Sequence, residues 1–281
     1  MMHGRIARRL VGSTMTGVTY GAAALAILPL AAILGMLLLK GAGSINWDFF
    51  VKSAVPVGEP GGGFANAIVG TLIIVGLACT VGVPIGVATG IFLAEFGGGR
   101  FGFTIRFVAD VLNGVPSIVI GIFAWTWLVK PMGHFSALAG GCALAVILVP
   151  ILARTTEEMV RLVPNSLREA GLALGYPRWR TSLLIVARTA GAGIVTGCLV
   201  AVARVAGETA PLLFTALGNQ FFSTRLQAPM AALPLQVYNY AVGPYDEWHR
   251  QAWAGALVLI VLVLALSLIA RAVVRAKRQH A

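Results

Sequence analysis

Long apolar runs alternate with short polar connections along this chain, and the runs have membrane-crossing length. A transmembrane helix needs about 20 consecutive, mostly apolar residues. Six runs reach or approach that length: Val18 to Leu39, Ala67 to Ala94, roughly Ile105 to Val129, Ser136 to Leu152, Thr189 to Leu213 and Ala252 to Ala270. They predict an all-α integral membrane protein with six transmembrane helices. The third run is interrupted by Asp110 and Asn113, and Gly114-Val115-Pro116 predicts a bend or break within it. The fourth is short and spans only with little tilt.

Composition agrees with that pattern. Of 281 residues, 58% are hydrophobic and only 11% charged, whereas a soluble domain carries about 25% charged residues. The net charge of +11 does not point to nucleic acid, because the basic residues cluster in short connections beside apolar runs, as in cytoplasmic loops. One side holds Arg5, Arg8, Arg9, Arg100, Arg106, Arg154, Arg161, Arg168, Arg178, Arg180, Arg188, Arg271, Arg275, Lys277 and Arg278. The other holds Lys40, Lys52, Lys130, Arg225 and Arg250. The imbalance places both termini and the loop between the fourth and fifth runs in the cytoplasm, with tails at 1–17 and 271–281. The first run, 18–39, exceeds the about 7–15 residues of a signal-peptide core and reads as an uncleaved anchor. Aromatic residues in "NWDFF" and "PMAALPLQVYNYAVGPYDEWHRQAW" suit the outer interface.

Several chemistries are excluded by what is missing. Cys79, Cys142 and Cys198 lie in apolar runs without a CxxC pair, so they read as packing residues and no metal site is expected. There is no HExxH, and the four histidines fall in tails or outer loops. No GxxxxGK[ST] phosphate loop exists, nor any Gly-Lys pair, so ATP-driven transport would need a separate ATPase. No cofactor is expected.

Small residues recur at helical spacing. Gly82, Gly86 and Gly90 repeat every four residues in the second run, and Gly193, Gly197 and Ala201 do so in the fifth. Such stripes let helix backbones approach closely in a membrane, where dispersion replaces the missing hydrophobic drive.

The loop Leu162 to Arg188, "LVPNSLREAGLALGYPRWRTSLLIVAR", predicts a helix-turn-helix. Ser166-x-x-Glu169 has the form of a capping box. Leu167, Ala170, Gly171 and Leu174 share a face, Gly175 suits a C-terminal cap, and Pro177 suits the opening of a second helix bearing Arg178 and Arg180. An apolar face with no membrane to enter calls for a partner.

Those residues carry a resemblance. "EAGLALGYPRWRTSLLI" resembles the EAA loop of ABC-importer permeases: Glu169, Ala170, Gly175 and Ile185 match by type and spacing, Gly171 replaces the second Ala, and Ala187-Arg188 stand where Leu-Pro is usual. From the second run onward, "LNGVPSIVIGIFAW", "ILARTTEEM", "VPNSLREA", "ARVAGETAPLLF" and "PMAALPLQVYNYA" resemble the A-type permease of phosphate ABC importers. The resemblance implies a MetI-like type I importer core over 65–270, with the EAA loop at about 154–188. It also implies a bacterial inner-membrane location and a coupling role for Glu169, Ala170, Gly171, Gly175 and Arg178. The implied partners are a related C-type permease, ATPase subunits and an extracytoplasmic phosphate-binding protein.

"CLVAVARVAGETAPLLF" places two charges in an apolar run. Arg204 and Glu208 are four residues apart and are expected to share a helix face with Gly193, Gly197 and Ala201, pointing into the protein interior. An unpaired charge at membrane depth costs about 2.5–3.5 kcal/mol or more, so the expectation is a paired arginine and glutamate on an anion path. A guanidinium grips two phosphate oxygens at once. Arg154, ending the fourth run, is a second candidate near the inner mouth, while Glu157 and Glu158 are expected to face solvent. The competing readings are an ATP-independent anion carrier or channel, or an ABC permease for sulfate, molybdate or phosphonate.

Overall fold

The computed structural model describes residues 2–56 and 61–279, without the side chains of 2–11, 13, 269–271 and 273–279. The basic residues Arg5, Arg8, Arg9, Arg271, Arg275, Lys277 and Arg278 therefore lie outside the described side chains. All named elements are helical. In order they are α1 (Met2–Gly41), α2 (Trp47–Val51), α3 (Ala65–Glu95), α4 (Arg100–Gly114), α5 (Ser117–Ala124), α6 (Lys130–Met132) and α7 (Ala137–Arg161). The rest are α8 (Asn165–Ala173), α9 (Arg178–Thr181), α10 (Ala187–Ala206), α11 (Ala210–Thr215), α12 (Leu233–Ala241) and α13 (Asp246–Gln279). Trp125–Val129 and Ser182–Val186 are π-helical turns joining α5 to α6 and α9 to α10.

Five helices among the described residues are long and apolar enough to cross a membrane: Thr14–Ser44, Ala65–Glu95, Ala137–Arg161, Arg178–Ala206 and Asp246–Leu268. A sixth crossing requires counting α4 and α5–α6 together, and these meet at 103°. The third predicted span is thus not one rod. Pro116 has no N–H to continue the helix, and its ring forces Val115 into extended backbone (φ −71°, ψ 131°). The fourth helix corrects the expectation of a short span. It has 25 residues, because its polar end through Arg161 stays helical, and Ser136 caps its start by accepting from Ala139 N–H at 3.1 Å. The fifth also departs from expectation. α10 stops at Ala206, and the apolar residues beyond it form the separate α11.

α7 is the axis of the bundle: two thirds (67%) of its most apolar stretch is buried within the chain, against 6% for α1. It owes that position to glycine. A Cβ added at Gly82 would lie 2.9 Å from Leu148, one at Gly86 2.6 Å from Leu152, and one at Gly90 2.5 Å from Thr156. The α3 stripe therefore presses bare backbone onto α7 over three turns, with Ile74, Leu144, Leu148 and Leu152 sealing the seam. On the other side, Gly193 lies against Met159 and Gly197 against Thr155, bringing α10 onto the same helix. α1 keeps apart, touching α13 where Gly41 meets the Trp253 backbone and Lys40 lies 5.1 Å from the Trp253 ring centre.

Gly86→Leu puts a branched side chain where no space exists, and overpacking costs about 1–3 kcal/mol. The expected outcome is a melting temperature in detergent lowered by several degrees, while Gly76→Leu, at a position open to its surroundings, leaves it within about a degree.

Candidate functional site

The helix-turn-helix is built at α8 and α9. Its turn is a Schellman motif: Gly175, at φ +82°, donates to the Leu172 carbonyl at 2.9 Å, and Tyr176 to Gly171 at 3.2 Å. Gly171 is buried at the crossing, since a Cβ there would lie 2.7 Å from Thr181 and 2.8 Å from Ile185. The capping box does not form. The N-cap is Pro164, without a side-chain bond, and Ser166 is already inside the helix. Pro164 presets the backbone there and leaves the serine no cap position to occupy. Glu169, Ala170, Leu172 and Leu174 remain exposed, as does Trp179 of α9.

What anchors this loop was not visible in the sequence. Glu95, the last residue of α3, is buried with its carboxylate 5% exposed. Its Oε1 accepts from Arg168 Nε and NH2 at 2.9 and 2.8 Å, and its Oε2 accepts from Ser182 at 2.9 Å. Its backbone carbonyl accepts from Arg178 at 2.7 Å, and that guanidinium lies 5.2 Å from the Phe96 ring centre. Arg168 also donates to the Val160 and Val163 carbonyls. A carboxylate at a helix C-terminus opposes the dipole, so Glu95 is stable there because Arg168 answers it. Both helices of the loop thereby hang from the end of α3. The one clue in the sequence was a lone acid inside the apolar "IFLAEF".

A second charged cluster surrounds Glu157. Contrary to expectation, this residue is buried (1% exposed) and only Glu158 faces out. Glu157 pairs with Arg106 at 2.6 Å, Arg154 at 3.0 Å and Arg161 at 2.6 Å, while Arg154 also pairs with Asp110 at 2.9 Å. Arg106 donates further to the Gly97 and Leu93 carbonyls. Helical spacing carries Glu157 to the face packed under α4 (a partner some fifty residues earlier), which no local pattern reveals.

The Arg204–Glu208 reading needs correction. Arg204 sits in the last turn of α10, and Glu208 lies beyond its end. Gly207 ends the helix, its N–H donating to the Arg204 carbonyl at 3.2 Å. The two residues do not share a helix face, and among the described residues no ion pair joins them. Arg204 is exposed on the single chain and Glu208 is half-buried. A cation at a helix C-terminus complements the partial negative charge of the last carbonyls, so the break itself stabilises Arg204.

The described structure thus has a compact helix-turn-helix tied to the end of α3, a glycine-packed bundle of long apolar helices, and an arginine at a helix break without an ion pair among the described residues. Residues 86–279 match the family described as "Binding-protein-dependent transport system inner membrane component". The chain belongs to that family, and is a multi-pass membrane component of a transport system. Among its relatives is the "Phosphate transport system permease protein PstA" of Haemophilus influenzae, 44% identical over 94% of each chain. The protein of the same name from Yersinia pestis is 47% identical, over 86% of this chain and 82% of that one. In solved structures the fold is similar to that of the inward-facing MetNI methionine ABC transporter, with a TM-score of 0.59 at 17% identity over 75% of this chain and 93% of that one.

Glu95→Ala is expected to release α8 and α9 from α3, raising amide hydrogen exchange over residues 165–181 at least tenfold while that of 70–90 is unchanged. Glu157→Gln is expected to cost about 2 kcal/mol in unfolding. That is below the about 3–5 kcal/mol for breaking a fully buried pair, because its arginines reach water.

Proposed function

We propose that this chain is one of two permease subunits of an ATP-driven phosphate importer of the bacterial inner membrane, with both termini cytoplasmic. The carrying observation is the 44–47% identity, over most of each chain, to permeases named for phosphate transport. A related C-type permease completes the path, separate subunits hydrolyse ATP, and an extracytoplasmic phosphate-binding protein delivers the ion.

Coupling runs through α8. Glu169, Ala170, Leu172 and Leu174 offer an exposed, partly apolar surface to the ATPase. Gly171 and Gly175 make the loop compact, and Arg178 with Arg168 ties it to Glu95. A motion of the ATPase therefore reaches α3 without being absorbed in the loop.

Arg204 and Glu208 border the substrate path. An arginine at a helix break with no ion partner among the described residues needs water, a neighbouring subunit or an anion. Discontinuous helices place such groups at substrate sites in transporters. Glu208 accepts a hydrogen bond from a protonated phosphate oxygen, which fully ionised sulfate lacks. Arg154, held by Asp110 and Glu157, lies toward the inner mouth. Gly82, Gly86, Gly90, Gly193 and Gly197 keep these helices at fixed spacing.

In the reconstituted transporter, Arg204→Ala is expected to lower phosphate uptake at least tenfold, and Arg204→Lys to give an intermediate rate, because an ammonium lacks the two-pronged grip. Wild-type uptake in Arg204→Ala refutes the assignment. Glu208→Gln is expected to reduce the preference for phosphate over sulfate, measured as the ratio of the two uptake rates.

A further inference from the structure

At the end of the bundle opposite α8, the segment following α11 folds back over the beginnings of α3 and α7. It is held at many points. Asn66 Nδ2 donates to the Asn219 and Gln220 carbonyls at 2.8 and 3.3 Å, and Asn219 Nδ2 to Pro229 at 3.2 Å. Ala137 N–H donates to Ala228 at 3.1 Å, and Leu233 N–H to Thr71 Oγ1 at 2.7 Å. A mere connector between helices is ordinarily mobile. This one is fixed, and Leu217 within it holds φ +59°, a conformation that side chains with Cβ rarely adopt. Strained residues of this kind gather at functional sites.

The fixed segment forms one wall of a cavity of about 230 Å³, lined by Asn219, Gln220, Gln236, Asn239, Tyr240 and Trp248, with Ala54 and Leu217 also on its walls. One observation says that something enters it: the buried Gln236 amide, on its wall, has an Nε2 without a hydrogen-bond partner among the described residues. Tyr240 lies on the same wall, and burial raises its hydroxyl pKa. Buried amide atoms left unbonded are costly, and the space is far larger than the ~15 Å³ one water needs.

The chemistry of the walls selects the occupant. Among the described residues no lining side chain is charged, so none of these walls supplies a cation for free phosphate or a lipid headgroup. Four carboxamides beside two aromatic rings suit a neutral group that both donates and accepts hydrogen bonds, as peptides and carboxamide side chains do. The family is binding-protein-dependent, and a delivering protein must meet this face. We propose that this cavity is a docking pocket for an uncharged, hydrogen-bonding segment of the extracytoplasmic binding protein. It rests on the reading above for which binding protein is used and for placing this end of the bundle outside the cytoplasm.

The whole transporter in nanodiscs is titrated with the phosphate-binding protein, and ATP hydrolysis is followed. Gln236→Leu, which removes the amide at similar size, and Ala54→Phe, which fills the cavity from the opposite wall, are each expected to raise the half-saturating concentration at least tenfold in complexes still assembled by size-exclusion. Half-saturation within twofold of wild type in both variants overturns the proposal. So does a lowered melting temperature with docking intact, which marks a water-filled structural site. Photoreactive benzoyl-phenylalanine at Gln220, introduced in cells, covers variants that fail to assemble. An adduct identified as a binding protein supports the pocket, whereas an adduct only with the second permease or lipid, or none, overturns it. A wild-type complex that the phosphate-binding protein does not stimulate refutes the substrate reading, while the adduct still decides the pocket.

Discussion

α3 and α7 lie so close that at Gly82, Gly86 and Gly90 there is no space for even a methyl group between them. In a membrane this contact has no hydrophobic drive behind it, since lipid is as apolar as the core; dispersion between well-matched surfaces holds it. The helices packed around α7 and the segments tied to the two ends of α3 take their positions from that seam. Because it is bare backbone against side chain, it resists shear, and α3 acts as a stiff rod through the bundle. At one end Thr71 and Asn66 hold the segment after α11. At the other, Glu95 holds both helices of the α8–α9 loop. The two ends of the bundle are thereby joined through one helix, as the proposed coupling requires.

Charge is handled in two distinct ways. Glu95 and Glu157 are buried but answered by arginines, and Glu95 also by the Ser182 hydroxyl, so each acts as a structural knot. Removing one partner of such a knot is costly because the other is left unsatisfied. Arg204 is different: it keeps its charge at a helix break without an acidic partner among the described residues, complemented only by the carbonyls of its own last turn. A group so placed can exchange ligands, whereas Glu157 among its three arginines cannot.

The membrane class, five of the six predicted spans as long helices, the glycine stripes and the turn at Gly175 were legible along the chain, because each depends on neighbours within one or two helical turns. Hydrophobic run length is decided by bilayer thickness, and a left-handed glycine after a helix satisfies carbonyls only a few residues back. The bend at Pro116 belongs to the same category, since proline acts on its own residue and the one before it.

Other features required the third dimension. Glu157 looked solvent-facing, and only the packing of α4 on α7 brings Arg106 over it. Glu95 became an anchor because Arg168, some seventy residues later, returns to it. Spacing suggested that Arg204 and Glu208 share a face, but the helix ends between them at Gly207 and Pro211 opens the separate α11, a break concealed within one apolar run. Local sequence thus determined where helices form and where they turn. Which charges are quenched and which stay available was decided by contacts between distant segments, because the free energy of a buried charge depends on what the fold brings within hydrogen-bond reach.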